Sequence, residues 1–229
     1  MTKIKKFLLV VCMSILTVVF GGGATFTMFS ADNKVQAEST DPTKWRIATT
    51  TSDLIGLTGY ETDAAAIRGL YEAGFRYIDL SMYYFTWDCV YMQDGWREEV
   101  LKLKALADEL GVKFVQAHSQ GGNPLNVVEA DFIVEATIRS IEICEVLGIK
   151  NTVVHPGFWG GLTKEEYFAE NKAFYDRLLP TAERCGVNVL CENTTSKNLG
   201  DRYALKTGAD MREFIEYVNH PNFHGCWDT

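Results

Sequence analysis

From residue 45 onward the chain alternates short β-branched or apolar runs with longer amphipathic ones, and the short runs recur at a nearly constant interval. The strand candidates are 45–50, 76–81, 112–118, 151–155, 187–192 and 223–228. The last residues of the third to sixth are His118, His155, Glu192 and Asp228, separated by 37, 37 and 36 residues. So regular a period means that each unit does the same thing: it extends, turns, returns as a helix and extends again. Strands joined in this way lie parallel, and the crossover that joins them is right-handed.

The helical runs carry their own punctuation. Thr62 and Thr163 are placed to cap helices, because a threonine hydroxyl can accept from a free N–H of the first turn. Gly74, Gly111, Gly148 and Gly186 each follow a helical run and precede a strand, the position where a left-handed residue ends a helix. The run from Lys164 to Cys185 is expected to be one helix, and 208–219 closes the series.

Repeated βα units form either an open doubly wound sheet or a closed (β/α)₈ barrel. No glycine-rich phosphate loop follows the first strand, as a dinucleotide-binding sheet would require, and the TIM-barrel type is therefore expected. Eight units at this period would take about 290 residues, and about six are present. With 47% hydrophobic residues among 229, one well-cored domain over 45–229 is expected.

Residues 1–37 stand apart from it. A basic start at Lys3, Lys5 and Lys6, an apolar stretch from Phe7 to Phe20 and the small-residue context of Val35 to Ala37 predict a signal peptide or an N-terminal membrane anchor, followed by a linker over 38–44. Export is expected, secreted or extracytoplasmic, with any membrane attachment confined to this segment. Removing 1–37 takes away four lysines and one aspartate, and leaves 18 basic and 29 acidic residues, net −11. Such a surface repels phosphate backbones and argues against a nucleic-acid partner. The five cysteines beyond residue 37 lack CxxC spacing, so neither a disulfide framework nor a zinc ribbon is expected.

Barrel enzymes work at the carboxyl ends of their strands. Here those ends hold two imidazoles and two carboxylates. By strand alternation, His118 brings Gln116 and Phe114 to the interior, Glu192 brings Leu190, and Asp228 brings Cys226. A His/His/Glu/Asp set of nitrogen and oxygen donors suits Mn²⁺, Zn²⁺ or Co²⁺ and, less well, Mg²⁺. Top-face loops carry Tyr83, Tyr84, Trp87, Phe158 and Trp159, whose rings either cover the apolar faces of a sugar or pack the loops. Asp79 and Ser81, near the end of the second strand, are weaker pocket candidates. His220 and His224 fall at the opposite end of the sixth strand and read as structural.

The segments "AHSQGG", "VVHPG", "CENTT" and "CWDT", in this order and spacing, resemble the xylose isomerase-like TIM barrel superfamily, which includes sugar phosphate isomerases and epimerases and the apurinic endonucleases of the endonuclease IV type. The resemblance covers Trp45 to Thr229 and is most specific at Glu192-Asn193-Thr194 and Trp227-Asp228-Thr229. It implies that Glu192 is a metal ligand and, in the epimerase branch, an acid/base, that Asp228 is a second ligand, and that His118 and His155 bind zinc in the endonuclease branch or line the substrate pocket in isomerase-like members. It also implies a histidine three places after the aspartate and a later glutamate, and the sequence ends before those positions.

The chemistry follows from the residue types. Interconverting an aldose and a ketose, or inverting a centre beside a carbonyl, removes a weakly acidic C–H proton; a divalent ion polarises the carbonyl and a carboxylate takes the proton. The expected function is a metal-dependent sugar or sugar phosphate isomerase/epimerase acting on a small molecule. The alternatives are a zinc phosphodiesterase of the apurinic endonuclease kind and a non-catalytic or incomplete carbohydrate-binding barrel.

Overall fold

A computed structural model describes residues 47–194 and 204–228. The N-terminal segment, the linker, Trp45 and Thr229 lie outside the described residues. Among those described, six strands alternate with helices: β1 (Ala48–Thr50), α1 (Asp63–Glu72), β2 (Tyr77–Ser81), α2 (Trp96–Leu110), β3 (Lys113–His118), α3 (Ala130–Leu147), β4 (Asn151–Val154), α4 (Lys164–Asp176), α5 (Leu179–Cys185), β5 (Asn188–Glu192), α6 (Gly208–Val218) and β6 (Phe223–Cys226).

All pairings are parallel, and the strand order is β1-β2-β3-β4-β5-β6. That order decides between the two architectures. A doubly wound sheet reverses direction partway along its strand order; here each strand adds to the same side of the one before, the winding of a (β/α)₈ barrel.

The two faces of the sheet are chemically distinct. Ile78, Leu80, Ala117, Val154, Val189 and Cys191 belong to one core with the helices, whereas Val153, Leu190 and Cys226 form a separate cluster on the inner face. Leu190 and Cys226 thus face inward as strand alternation predicts, and Trp227 packs against the helical layer. Each helix contributes a stripe to that layer. In α6, Met211, Phe214 and Val218 are buried, a spacing of three and four that puts them on one face. Burial of such side chains stabilises by roughly 1.5–3 kcal/mol each.

The expected caps form. Thr62 accepts from the Ala65 amide, and Thr163 and Glu166 make a reciprocal capping box. Gly111, Gly148 and Gly186 close α2, α3 and α5 in the left-handed region. Among the described residues, no helix is long and apolar enough to cross a membrane.

Two local features depart from the sequence reading. The single helix expected over 164–185 is two, α4 and α5, parted at Arg177 and Leu178. Pro180 explains the break: it has no N–H to give, and its ring would collide with the carbonyl of Asp176, where α4 ends. On β3, Ile78 pairs with Phe114 but Asp79 pairs with Gln116, so Val115 is an inserted residue. The bulge flips strand parity below it. Gln116 and His118 keep one orientation, while Phe114 packs against the helical core rather than the interior where simple alternation put it.

Candidate functional site

Parallel pairing in register brings the strand ends together. His118 closes β3, Glu192 closes β5, His155 follows β4 directly and Asp228 lies two residues beyond β6. These four side chains line one pocket of about 240 Å³, together with Thr50, Ser52, Asp79, Ser81, Tyr83 and Tyr84. All four predicted strand-end residues therefore meet.

Three of them form the tightest group. One donor atom each from His118, His155 and Glu192 lies within 4.8 Å of the other two. His155 Nε2 is 2.6 Å from Glu192 Oε2, and the two imidazoles stand edge to face with centroids 6.1 Å apart. Two imidazole nitrogens and a carboxylate oxygen are the donors that Zn²⁺, Mn²⁺ and Co²⁺ take, so the residues fit a divalent ion. Asp228 lines the same pocket without joining this group.

Asp228 has a support that the sequence reading missed. The buried Asn193 accepts from the Asp228 amide through Oδ1 at 2.6 Å and donates through Nδ2 to the Asp228 carbonyl at 2.9 Å. A side-chain amide carries its donor and its acceptor on two atoms side by side, so it can answer the N–H and the C=O of one residue together, which suits asparagine directly after Glu192. Asn193→Ala is expected to cost about 1–3 kcal/mol, because it removes a hydrogen bond from each of the two backbone groups, and to speed hydrogen exchange at the Asp228 amide. An unchanged melt and unchanged protection at that amide would remove Asn193 from this role.

The loops that follow the strands are fitted closely to the pocket. Tyr83 stacks edge-on against His155 with centroids 5.4 Å apart. Its ring rests on Gly121, where a β-carbon would stand 2.2 Å from the ring, so the first glycine of "QGG" is there for close approach. Burial, and then the neighbouring Tyr84 and Glu192, push the Tyr83 hydroxyl above its ordinary range; it stays protonated and able to donate. Behind His155, Asn171 accepts from the Gly157 amide and donates to the Gly157 and Tyr167 carbonyls. The Tyr175 hydroxyl donates to the Val154 carbonyl. The backbone on both sides of His155 is thereby tied to α4.

Other candidates lie elsewhere. Trp87 is 57% exposed and packs on Phe132, and Trp159 is 55% exposed; neither lines the pocket. Phe158 packs against the helical core, the loop-packing alternative. His220 and His224 lie at the opposite end of β6 from Asp228: His220 Nδ1 accepts from the Asn222 amide, and burial lowers the His224 pKa. Among the described residues the cysteines form no disulfide. Thr50 and Ser52 join the pocket without having been singled out, since small hydroxyl residues after a strand carry no distinguishing signal.

Residues 67–229 match the family described as Xylose isomerase-like TIM barrel. The chain belongs to that family. No curated protein matches it by sequence. Among solved structures, this xylose isomerase-like barrel is similar to a D-tagatose 3-epimerase-like protein at TM-score 0.58 and 17% identity, covering 79% of this chain and 64% of that one. It is similar to a D-psicose 3-epimerase crystallised in the presence of D-fructose at TM-score 0.58 and 14% identity, covering 73% and 58%. The IOLI protein with a zinc atom matches at TM-score 0.50 and 18% identity, covering 69% and 54%. The chain thus spans less than two thirds of the length of each of these structures.

Proposed function

We propose that this xylose isomerase-like barrel is a sugar isomerase or epimerase that moves a proton at the carbon beside a ketose carbonyl, with Glu192 as acid/base. The observation that carries the reading is the position of Glu192: a carboxylate only 9% exposed, at a strand end, in a pocket whose other lining groups are hydroxyls, imidazoles and carboxylates. Proton abstraction from carbon needs such a base, held in place and shielded from bulk water. The sugar epimerases among the similar structures support the same reaction class.

The roles divide as follows. His118, His155 and Glu192 would hold a divalent ion, with Asp228 beside them. Bound there, the ion would lower the cost of charge on the substrate oxygen. His155 Nε2, 2.6 Å from Glu192 Oε2, stands directly against the carboxylate that would take the proton. Tyr83 offers a hydroxyl donor to a substrate oxygen, and Thr50, Ser52 and Ser81 offer exchangeable partners for sugar hydroxyls.

Of sugar and sugar phosphate, the lining favours the uncharged sugar. Asp79, Glu192 and Asp228 contribute negative charge, and among the described residues that line the pocket none is a lysine or arginine. A zinc phosphodiesterase is the second reading, favoured by the pair of strand-end histidines. The net charge of −8 on the whole chain opposes it.

The test is product analysis with Mn²⁺ or Zn²⁺ added. D-fructose, D-psicose and D-tagatose are each incubated with the protein and the sugars separated by chromatography. Appearance of a second ketose or aldose is the expected result. Cleavage of abasic duplex DNA without any sugar conversion would move the assignment to the phosphodiesterase.

A further inference from the structure

Asp79 is a carboxylate on the inner face of β2, 6% exposed, in a place where a hydrophobic side chain would be cheaper for stability. Its Oδ2 accepts from Gln116 Nε2 at 2.6 Å and lies 2.9 Å from His118 Nδ1. Both partners come from β3, and both reach Asp79 because the bulge at Val115 sets Gln116 opposite Asp79 and His118 opposite Ser81. Were Val115 paired in regular register instead, it would lie opposite Asp79, and Gln116 and His118 would turn to the other face of the sheet.

The 2.9 Å contact is not aligned as a hydrogen bond, yet a carboxylate has no proton to give and would repel a lone pair so close to it, so its charge favours hydrogen on the imidazole nitrogen that faces it. The other nitrogen, Nε2, then holds its lone pair. We propose that Asp79 is the positioning residue of the site: it sets His118 as the Nδ1–H tautomer, with Nε2 presented as a donor atom for a divalent ion, and Gln116 locks Asp79 in that task. The inference rests on the reading that His118 belongs to a metal group. Its first consequence, the tautomer, needs no metal.

The arrangement separates the two histidines. His155 faces Glu192 through Nε2, inside the group itself, whereas His118 is held from behind by a residue outside it. A carboxylate behind a ligand histidine orients the ring and raises its basicity, and loss of such a partner commonly lowers metal affinity by about 10–100-fold.

The experiment uses the full chain with Asp79→Asn, Asp79→Ala and Gln116→Leu. Nitrogen chemical shifts of the His118 ring in the metal-free protein report the tautomer, and calorimetry with Zn²⁺ and with Mn²⁺ reports affinity. The unchanged protein is expected to hold His118 as Nδ1–H. Asp79→Ala removes the acceptor and is expected to shift the ring to Nε2–H and to weaken Zn²⁺ by about 10–100-fold. Asp79→Asn keeps the shape and an acceptor oxygen but loses the charge, so the tautomer should persist with a loss of about 10-fold. Gln116→Leu should fall between Asp79→Asn and the unchanged protein.

If Asp79→Ala does not fold, the Asn and Leu variants decide. Unchanged tautomer and unchanged affinity in the folded variants would overturn the assignment, as would a lowered melting temperature with neither readout moved, since that is a packing role. Should the unchanged protein bind neither ion, the metal reading fails on its own; a His118 ring in the Nε2–H form before any substitution would reject the role of Asp79 independently.

Discussion

Replacing Glu192 with glutamine is expected to reduce sugar turnover by about 10²–10⁴-fold, the range that a positioned acid/base contributes, while leaving the fold intact. The substitution keeps the volume and one oxygen but removes the negative charge and the capacity to take a proton. His155 Nε2 lies 2.6 Å from the carboxylate and would meet a neutral amide of the same shape there, so the local structure has no reason to collapse. Two measurements separate the two roles given to this residue. Titration with Mn²⁺ should show weaker binding than in the unchanged protein, because one anionic donor of the group His118, His155 and Glu192 is gone. Turnover at saturating Mn²⁺ should stay low, because the base itself is missing. Full recovery of turnover at high metal concentration would mean that Glu192 only holds the ion. Unchanged metal affinity would remove it from the ligand group.

Phe214→Ala should be the most destabilising of the substitutions considered, by about 3–5 kcal/mol, the usual cost of truncating a fully buried aromatic ring. Phe214 in α6 is 0% exposed and lies at the centre of a ring cluster, with centroids 4.9 Å from Phe168, 5.7 Å from Phe223 and 6.0 Å from Tyr175. Those partners belong to α4 and β6, so the cluster joins the fourth crossover to the sixth strand. Tyr175 adds a link to the site, since its hydroxyl donates to the carbonyl of Val154, next to His155. A cavity at Phe214 should therefore reach the pocket as well as the melting curve, with slower turnover in the fraction that stays folded. Urea denaturation followed by circular dichroism gives the stability; a loss below about 1 kcal/mol at an unchanged denaturant slope would show that the cluster repacks around the gap.

Which parts of the molecule could be read from its sequence follows from the range of the forces involved. Strand ends, helix caps and the glycines after helices are local: a threonine three residues before a free amide, or a glycine that must turn left-handed, acts within one turn of chain. Hence the even spacing of His118, His155, Glu192 and Asp228 sufficed to place them together. The break before Pro180 was equally local and legible in principle, but the apolar pattern on either side of it continued unbroken and masked it. The inserted Val115 had no such signal. Its cause is the pairing of β2 with β3, which depends on residues 37 positions apart, Asp79 and Gln116, and with it went the orientation of Phe114 and the contact between Asp79 and His118. Asn193 was conspicuous in the sequence beside Glu192, yet its work is on Asp228, 35 residues later. The exposed rings of Trp87 and Trp159 show the reverse limit: a loop can be assigned to the correct face of a barrel while the direction of its side chains stays open.

The central claim is proton transfer at a sugar carbon by Glu192, and solvent exchange measures it without requiring that the product be known in advance. The protein is incubated in D₂O with Mn²⁺ and a ketohexose, and the recovered sugar is examined by proton NMR and mass spectrometry. Deuterium should enter at the carbon beside the carbonyl, because a carboxylic acid formed on Glu192 exchanges its proton with water before returning it, and Glu192→Gln should abolish that label. Conversion of the sugar with no deuterium incorporated in either protein, or equal labelling with and without Glu192, would contradict the assignment.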